Sequence, residues 1–220
     1  KILDPACGSG VFLVGAYRRL IYRWRKKNNW CYPDLPILKK LLRDNIFGVE
    51  LNKEAADLTI FSLSLALCDE LTPLQIWKDL KFDDLRESNI LNDDFFNQVT
   101  KSEFKGKFDL VIGNPPFVQS GLTESAKLVD FQESKQPSGP LLYNKSSFKF
   151  RRYLLENYCV PQIIDFSHIA RILFGPGGDV PTAAIFIKNE KPSKNDILHL
   201  TTRRTKTHKE TLYFELDSYD

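Results

Sequence analysis

An α/β fold built on a mostly parallel sheet is predicted by three observations. The chain opens on a short apolar run, a glycine turn and an amphipathic stretch of helical spacing. A second apolar run ends in a carboxylate forty residues after that turn, and a later one stops at two consecutive prolines.

The first strand is Lys1-Ile2-Leu3, followed by Asp4-Pro5-Ala6-Cys7-Gly8-Ser9-Gly10 and a helix from Val11 to Lys26 with apolar residues at Phe12, Leu13, Ala16, Leu20 and Trp24. Glycines let backbone approach a ligand closely, and a helix amino terminus presents free N–H groups with positive partial charge. A nucleotide-type cofactor suits such a turn; a purely structural turn is the alternative. A dinucleotide fingerprint requires a further glycine where this chain has Leu13, which disfavours a nicotinamide cofactor and a nicotinamide-dependent enzyme.

Ile46-Phe47-Gly48-Val49-Glu50 reads as the second strand. An acid at its carboxyl end is placed to accept both hydroxyls of a ribose, to cap the helix starting near Asn52, or to do both. From Glu54 to Leu71 the positions Ala55, Leu58, Phe61, Leu65, Ala66 and Leu67 predict a largely buried helix. Asn89 to Phe96 places Asp94 and Phe95 at the end of a third strand. A carboxylate beside an aromatic suits an adenine amine and ring, although acidic loops near aromatics are common.

Phe108 to Gly113 predicts a buried strand, which Pro115 and Pro116 must end because neither donates to a sheet. Asn114 is thereby held at a strand end. Its side-chain oxygen and the Pro115 carbonyl are two acceptors suited to one NH2 group, and Phe117 offers a flat face for a base. Two fixed acceptors would localise the lone pair of an aromatic amine on nitrogen as it attacks. The alternative is a plain turn followed by a core phenylalanine.

The order Asp-Pro-Ala-Cys-Gly-Ser-Gly, acid, Asp-Phe, Asn-Pro-Pro-Phe resembles the adenine-specific DNA methyltransferases of restriction-modification systems, in the gamma-type group whose cofactor motif precedes the catalytic one. The likeness runs over roughly Lys1 to Lys188. It implies a Rossmann-like S-adenosylmethionine-dependent methyltransferase fold, with a mostly parallel sheet, a closing antiparallel hairpin and helices on both faces. It implies S-adenosylmethionine as donor, adenine flipped out of double-stranded DNA as acceptor, and direct displacement without a strong base.

By that resemblance Asp4, Cys7, Gly8 and Gly10 line the methionine portion, Glu50 holds the ribose, and Asp94 with Phe95 contacts the cofactor's adenine. Asn114, Pro115, Pro116 and Phe117 form the catalytic motif, with Phe117 stacked on the base; the family often has tyrosine there, and phenylalanine keeps the ring face. Ser146 to Asn157 resembles the helix after the family's fifth strand, with Phe148 near the flipped base or, as an aromatic on an amphipathic helix, in the core. Gln162 to Phe166 and Thr182 to Ile187 resemble the closing hairpin, with Gly175 to Gly178 as the turn region between them.

Residues 1–190 are therefore expected to form the catalytic domain, and 191–220, with one strand-like run at Thr211 to Leu216, an extension toward a target-recognition region. The family's cofactor-binding segment before the glycine motif has no counterpart here. Only thirty residues separate Phe117 from Phe148, leaving Leu122 to Lys135 as a helix and Gly139 to Tyr143 as a meagre fifth strand. With no methionine among 220 residues, a fragment is expected.

A net charge of +3 is too small to argue for DNA by itself. Basic residues cluster at Arg18, Arg19, Arg23, Arg25, Lys26 and Lys27, at Lys145, Lys149, Arg151 and Arg152, and at Arg203, Arg204, Lys206 and Lys209. Each cluster is a candidate phosphate contact or a solvated face. Cys7, Cys31, Cys68 and Cys159 form no close pair and have no ligand spacing with His168, His199 or His208, so no metal and no disulfide are expected, and a reducing cytoplasm is the simplest home. Methyl transfer from a sulfonium needs no thiol nucleophile, which leaves Cys7 out of the chemistry. No run is long enough to span a membrane. The expected partners are DNA and a specificity or nuclease domain or subunit. Other amino groups remain open as acceptors, namely cytosine in DNA, guanine in RNA or a protein glutamine, as does a noncatalytic DNA-binding role.

Overall fold

A computed structural model describes residues 1–99, 101, 106–114, 148–175, 182–192 and 196–202. The chain divides into two compact units, Lys1–Pro116 and Phe117–Asp220. The helix expected at Leu122 to Lys135, the strand at Gly139 to Tyr143 and the run Thr211 to Leu216 lie outside the described residues. So do Pro115, Pro116, Phe117, Lys145, Pro176 to Gly178, Arg203, Arg204, Lys206 and Lys209.

In the first unit, strand β1 (Ile2–Asp4) leads through the glycine turn into helix α1 (Val11–Lys27). Helix α2 (Leu35–Asn45) feeds β2 (Ile46–Glu50), α3 (Lys53–Cys68) follows, and α4 (Pro73–Lys78) precedes β3 (Ile90–Asn92), α5 (Phe95–Val99) and β4 (Leu110–Val111). The strands are parallel in the order β3-β2-β1-β4. Sequence order reverses direction between β1 and β4, the kind of switch point at which open α/β sheets bind ligands beyond their strands' carboxyl ends.

The core lies where α1, α2 and α3 meet. Leu13, Tyr17 and Ile21 of α1 are buried with Leu38 and Leu42 of α2 and Leu63 and Leu67 of α3. Each such aliphatic side chain is worth about 2 kcal/mol in burial. Tyr17 is fully enclosed because its hydroxyl donates to the Leu38 carbonyl at 3.0 Å, and burial raises its pKa above the ordinary phenol value. Helix α2 was not foreseen, though its start is signalled in the sequence: Asp34 accepts from the Ile37 N–H at 3.0 Å, and a proline occupies the first turn.

Two expectations are corrected. Leu58, Phe61 and Leu65 face solvent on α3, whereas Ala56, Thr59, Leu63, Ala66 and Leu67 face inward. The helix is apolar nearly all round, so pattern alone did not choose a face; Thr59, which bonds the glycine turn, lies on the buried one. The strand expected at Phe108 to Gly113 to be buried has Leu110 48% and Val111 59% exposed and, among the described residues, pairs on one side alone. Its pairing with β1 nonetheless extends to Ile112, whose N–H donates to Leu3 at 2.9 Å.

In the second unit, α6 (Phe148–Asn157) precedes β5 (Cys159–Asp165), a 3-10 turn at Ser167–Ile169 and α7 (Ala170–Phe174). Strand β6 (Ala183–Lys188) pairs antiparallel with β5, bearing out the expected closing pair. The register shifts between Cys159 and Gln162, where Pro161 has no N–H to give. Strand β7 (Leu198–Thr201), unforeseen in a stretch read as an extension, pairs parallel with β5 on its other edge. Thr202 is buried there and donates through Oγ1 to the Asp165 carbonyl at 2.9 Å. Among the described residues no helix is long and apolar enough to cross a membrane.

Candidate active site

The glycine turn is shaped by two left-handed residues, Gly8 at φ 53° and Gly10 at φ 84°. Gly10 donates to the Cys7 carbonyl at 2.8 Å and begins α1 without any side-chain cap. The α1 amino terminus is therefore left open, with no acid in its first turn. A Cβ on Gly8 would meet nothing within 4 Å, whereas one on Gly10 would stand 3.0 Å from Thr59 Cγ2 and 3.2 Å from its Cα. Gly8 faces open space, and Gly10 is wedged against α3.

Thr59 closes the underside of the turn. Fully buried, it donates through Oγ1 to the Gly8 carbonyl at 2.7 Å and lies 3.7 Å from Cys7 Sγ. Cys7 is buried, and burial pushes its thiol up to about 11. Gly48 of β2 makes room for it, since a Cβ there would sit 2.9 Å from both Cys7 Sγ and Leu13 Cδ1. Sequence reasoning passed over Thr59 and Gly48, though a lone glycine inside a strand is itself a sign of close approach.

Glu50 lies at the carboxyl end of β2 with both oxygens engaged. Oε2 accepts from the Gly8 N–H at 2.8 Å and Oε1 from the Asn52 N–H at 2.9 Å. Each carboxylate oxygen has capacity for a second donor, so the group can hold a diol while it pins the turn. It does not cap α3; Asn52 does, accepting from the Ala55 N–H at 2.8 Å. Asn92, also unforeseen, ends β3 and donates to the carbonyls of Glu50 and Leu51, both at 2.9 Å.

Asp4 ends β1 and is fully buried. Its Oδ1 accepts from the Ala6 N–H at 3.1 Å, while among the described residues Oδ2 has no partner. Burial raises the carboxyl pKa, the Ala6 hydrogen bond lowers it, and the charge of Glu50 raises it further. A Cβ on Gly113 would stand 3.0 Å from Asp4 Oδ1 and 3.3 Å from Pro5 Cδ. The backbone entering the Asn-Pro-Pro segment thus runs directly against the glycine-turn motif, and exposed Asn114 follows it.

At the β3 end Asp94 accepts from the Phe96 N–H at 2.9 Å, and its carbonyl receives the N–H groups of Asn97 and Gln98, so it starts α5. Asp93 accepts from the Asp94 N–H at 2.7 Å, which holds its carboxyl below the ordinary range. Half-buried Phe95 packs edge-on to Phe96, with centroids 5.8 Å apart.

The carboxyl ends of β3, β2, β1 and β4 therefore present Asp94 with Phe95, then Glu50, then Asp4 to Gly10, then Asn114, in one row. At ordinary strand spacing this row is about 14 Å long. Phe148 opens α6 in the second unit and is 59% exposed.

Residues 44–144 match the sequence profile of the Eco57I restriction-modification methylase family. Over 93 residues the chain is 40% identical to the adenine-specific methyltransferase BrxX of Escherichia coli O9:H4 (strain HS), a stretch that covers 41% of this chain and 7% of that protein. Its fold is similar to a modification subunit of a putative type I restriction enzyme from Vibrio vulnificus YJ016, with a TM-score of 0.59, 18% identity, and coverage of 94% of this chain and 44% of that one. The type I restriction enzyme EcoKI M protein gives a TM-score of 0.59 at 16% identity, over 96% and 46% of the two chains. A putative class I S-adenosylmethionine-dependent methyltransferase from Listeria monocytogenes gives 0.52 at 18% identity, over 91% and 57%. The resemblance to restriction-modification adenine methyltransferases and the methyltransferase fold are borne out by these matches.

Proposed function

We propose that this chain is the catalytic core of an enzyme that transfers a methyl group from S-adenosylmethionine to the exocyclic amine of adenine in DNA, as part of restriction-modification. The observation that carries the reading is the row of strand ends, in which the backbone before Asn114 passes so near Asp4 of the glycine turn that a Cβ at position 113 would stand 3.0 Å from its Oδ1. Donor and acceptor motifs far apart in sequence thus share one switch point.

The residues present fit S-adenosylmethionine. Among the described residues Gly8 faces open space and Asp4 Oδ2 is a buried oxygen without a partner, and Glu50 retains acceptor capacity beside the turn. Asp4, Cys7, Gly8 and Gly10 would hold the methionine portion, Glu50 the ribose, and Asp94 with Phe95 the adenine. When bound, the cofactor supplies an electrophilic methyl on a sulfonium. For their part, Asn114 Oδ1 and the Pro115 carbonyl accept the two amine protons, orient the nitrogen and localise its lone pair. The proton released as the new bond forms leaves toward those acceptors or water. Phe117 and Phe148 are assigned to the base, which must be turned out of the duplex to reach this row.

In the whole protein a specificity or nuclease domain or subunit accompanies this core, and the cytoplasm is its compartment. The test is mass spectrometry of nucleosides from DNA treated with the full-length protein and isotope-labelled donor. Label on the adenine exocyclic nitrogen is expected; label on cytosine, or none with donor bound, overturns the assignment. Asn114→Ala is expected to lower kcat by at least about a hundredfold, the scale of losing one preorganised polar group, with donor affinity kept. Normal turnover in that variant overturns the role of Asn114.

A further inference from the structure

The basic cluster of α1 ends in an aromatic one. Tyr22 packs edge-on against Trp30 at 5.2 Å, Arg19 lies over the Tyr22 ring at 5.5 Å, and Arg25 lies over Tyr32 at 4.1 Å. Trp30 is 50% exposed and Tyr32 73%, so Arg25 covers one face of Tyr32 and leaves the other to solvent. The turn that presents them is unusual: Asn29 and Trp30 are both left-handed, at φ 50° and 62°, and the Trp30 N–H is tied to the Arg25 carbonyl at 2.7 Å. That bond closes the carboxyl end of α1, so the left-handed pair is part of the helix stop and fixes the rings at the surface.

Charge around the rings is one-sided. Arg18 pairs with Asp69 at 2.7 Å, but among the described residues no acid pairs with Arg19, Arg23, Lys26 or Lys27. Favourable interaction with the helix dipole accounts for the last turn, Arg25 to Lys27, and not for Arg19 and Arg23. Cations beside open ring faces are the composition of a surface that tracks a nucleic-acid strand, with phosphates on the cations and a base on a ring. Helix α1 has 17 residues, which at 1.5 Å each carries this surface about 25 Å from the glycine turn.

We propose that the carboxyl-terminal end of α1 and the turn carrying Trp30 and Tyr32 form a second nucleic-acid contact, separate from the methyl-transfer site. It takes the phosphates of a strand on Arg19, Arg23, Lys26 and Lys27, and stacks a base on Tyr32 and Trp30. The contact does not depend on the proposed reaction, because none of these residues lies in the row of strand ends.

The test uses the full-length protein and fluorescein-labelled oligothymidylate, which contains no adenine, read by anisotropy across a salt series. The triple variant R23E/K26E/K27E is expected to weaken binding by about tenfold or more and to flatten the plot of log K against log salt by about 2, three contacts at 0.7 each on a single strand. The milder R23Q/K26Q/K27Q is expected to show the same flattening. W30A/Y32A is expected to weaken binding several-fold with the slope unchanged. Methylation of a short duplex at saturating concentration should be unaltered in all three variants. Unchanged affinity and slope in both charge variants overturn the proposal. So does equal binding of polyglutamate that is indifferent to W30A/Y32A, which assigns the surface to an acidic protein. A matched duplex of thymidylate and deoxyadenylate, run in Asn114→Ala, tells a stacked single strand from duplex binding: equal affinity with no effect of W30A/Y32A overturns the stacking.

Discussion

Substituting Thr59 tests how the glycine turn is held. Thr59→Val is nearly isosteric and keeps Cγ2 against Gly10, but removes the hydroxyl that donates to the Gly8 carbonyl at 2.7 Å. A carbonyl left unpaired in a part-buried place costs about 1–3 kcal/mol. For a domain of this size about 2 kcal/mol lowers Tm by about 4–8 °C. If about 1.4 kcal/mol of that cost falls on turn geometry, donor affinity drops about tenfold. Thr59→Ser makes the complementary change, keeping the hydroxyl and losing one methyl worth about 0.8 kcal/mol. Thermal unfolding and calorimetric titration with S-adenosylmethionine should therefore rank wild type above Thr59→Ser and Thr59→Ser above Thr59→Val. A valine variant equal to or better than the serine variant in both assays refutes the role given to the hydroxyl.

Other consequences follow from the same site. Gly10→Ala combines a φ of 84° with a Cβ 3.2 Å from helix backbone, so a loss of about 2–4 kcal/mol is expected in denaturant unfolding, with donor binding lost. Because Asp4 has a raised pKa in the fold, its contribution to stability is fully present below the unfolded value of 3.8 and is lost as pH rises through the folded value. Asp4→Asn should then gain on wild type as pH climbs from 4 toward neutrality, and parallel Tm curves would show that the carboxyl is not strained. With its thiol pushed up to about 11, Cys7 should resist iodoacetamide at pH 8 while exposed Cys31 reacts, as read by peptide mass spectrometry before and after unfolding.

Much of this site was legible because its parts are local in sequence. The glycine turn, the Glu50 strand and the Asn114 segment each carry their own signal in turn-forming glycines, β-branched runs or paired prolines, and parallel pairing then lines up their ends. What escaped were residues whose role is defined by a neighbour distant in sequence. Thr59 is one hydroxyl on an apolar helix until Gly8 is placed beneath it, and Gly48 matters only because Cys7 and Leu13 crowd it. In α3 the apolar pattern marks no single face: Leu58, Phe61 and Leu65 are as apolar as Leu63 and Leu67, yet they are exposed while Leu63, Ala66 and Leu67 are buried. Strand β7 was lost in a polar stretch because four residues carry little pattern until β5 offers an edge.

The closeness of Gly113 to Asp4, where a Cβ would stand 3.0 Å from Oδ1, has a thermodynamic consequence. On the proposed reading, the backbone that leads to the acceptor clamp passes beside the carboxylate that begins the donor turn, with no room for a side chain between them. Any free energy by which an occupied turn favours one setting of Asn114 is returned in full: a base seated at Asn114 must change donor affinity by the same factor as the donor changes base affinity. Measured affinities for the two ligands are thus properties of a pair, and each has meaning only with the occupancy of the other stated.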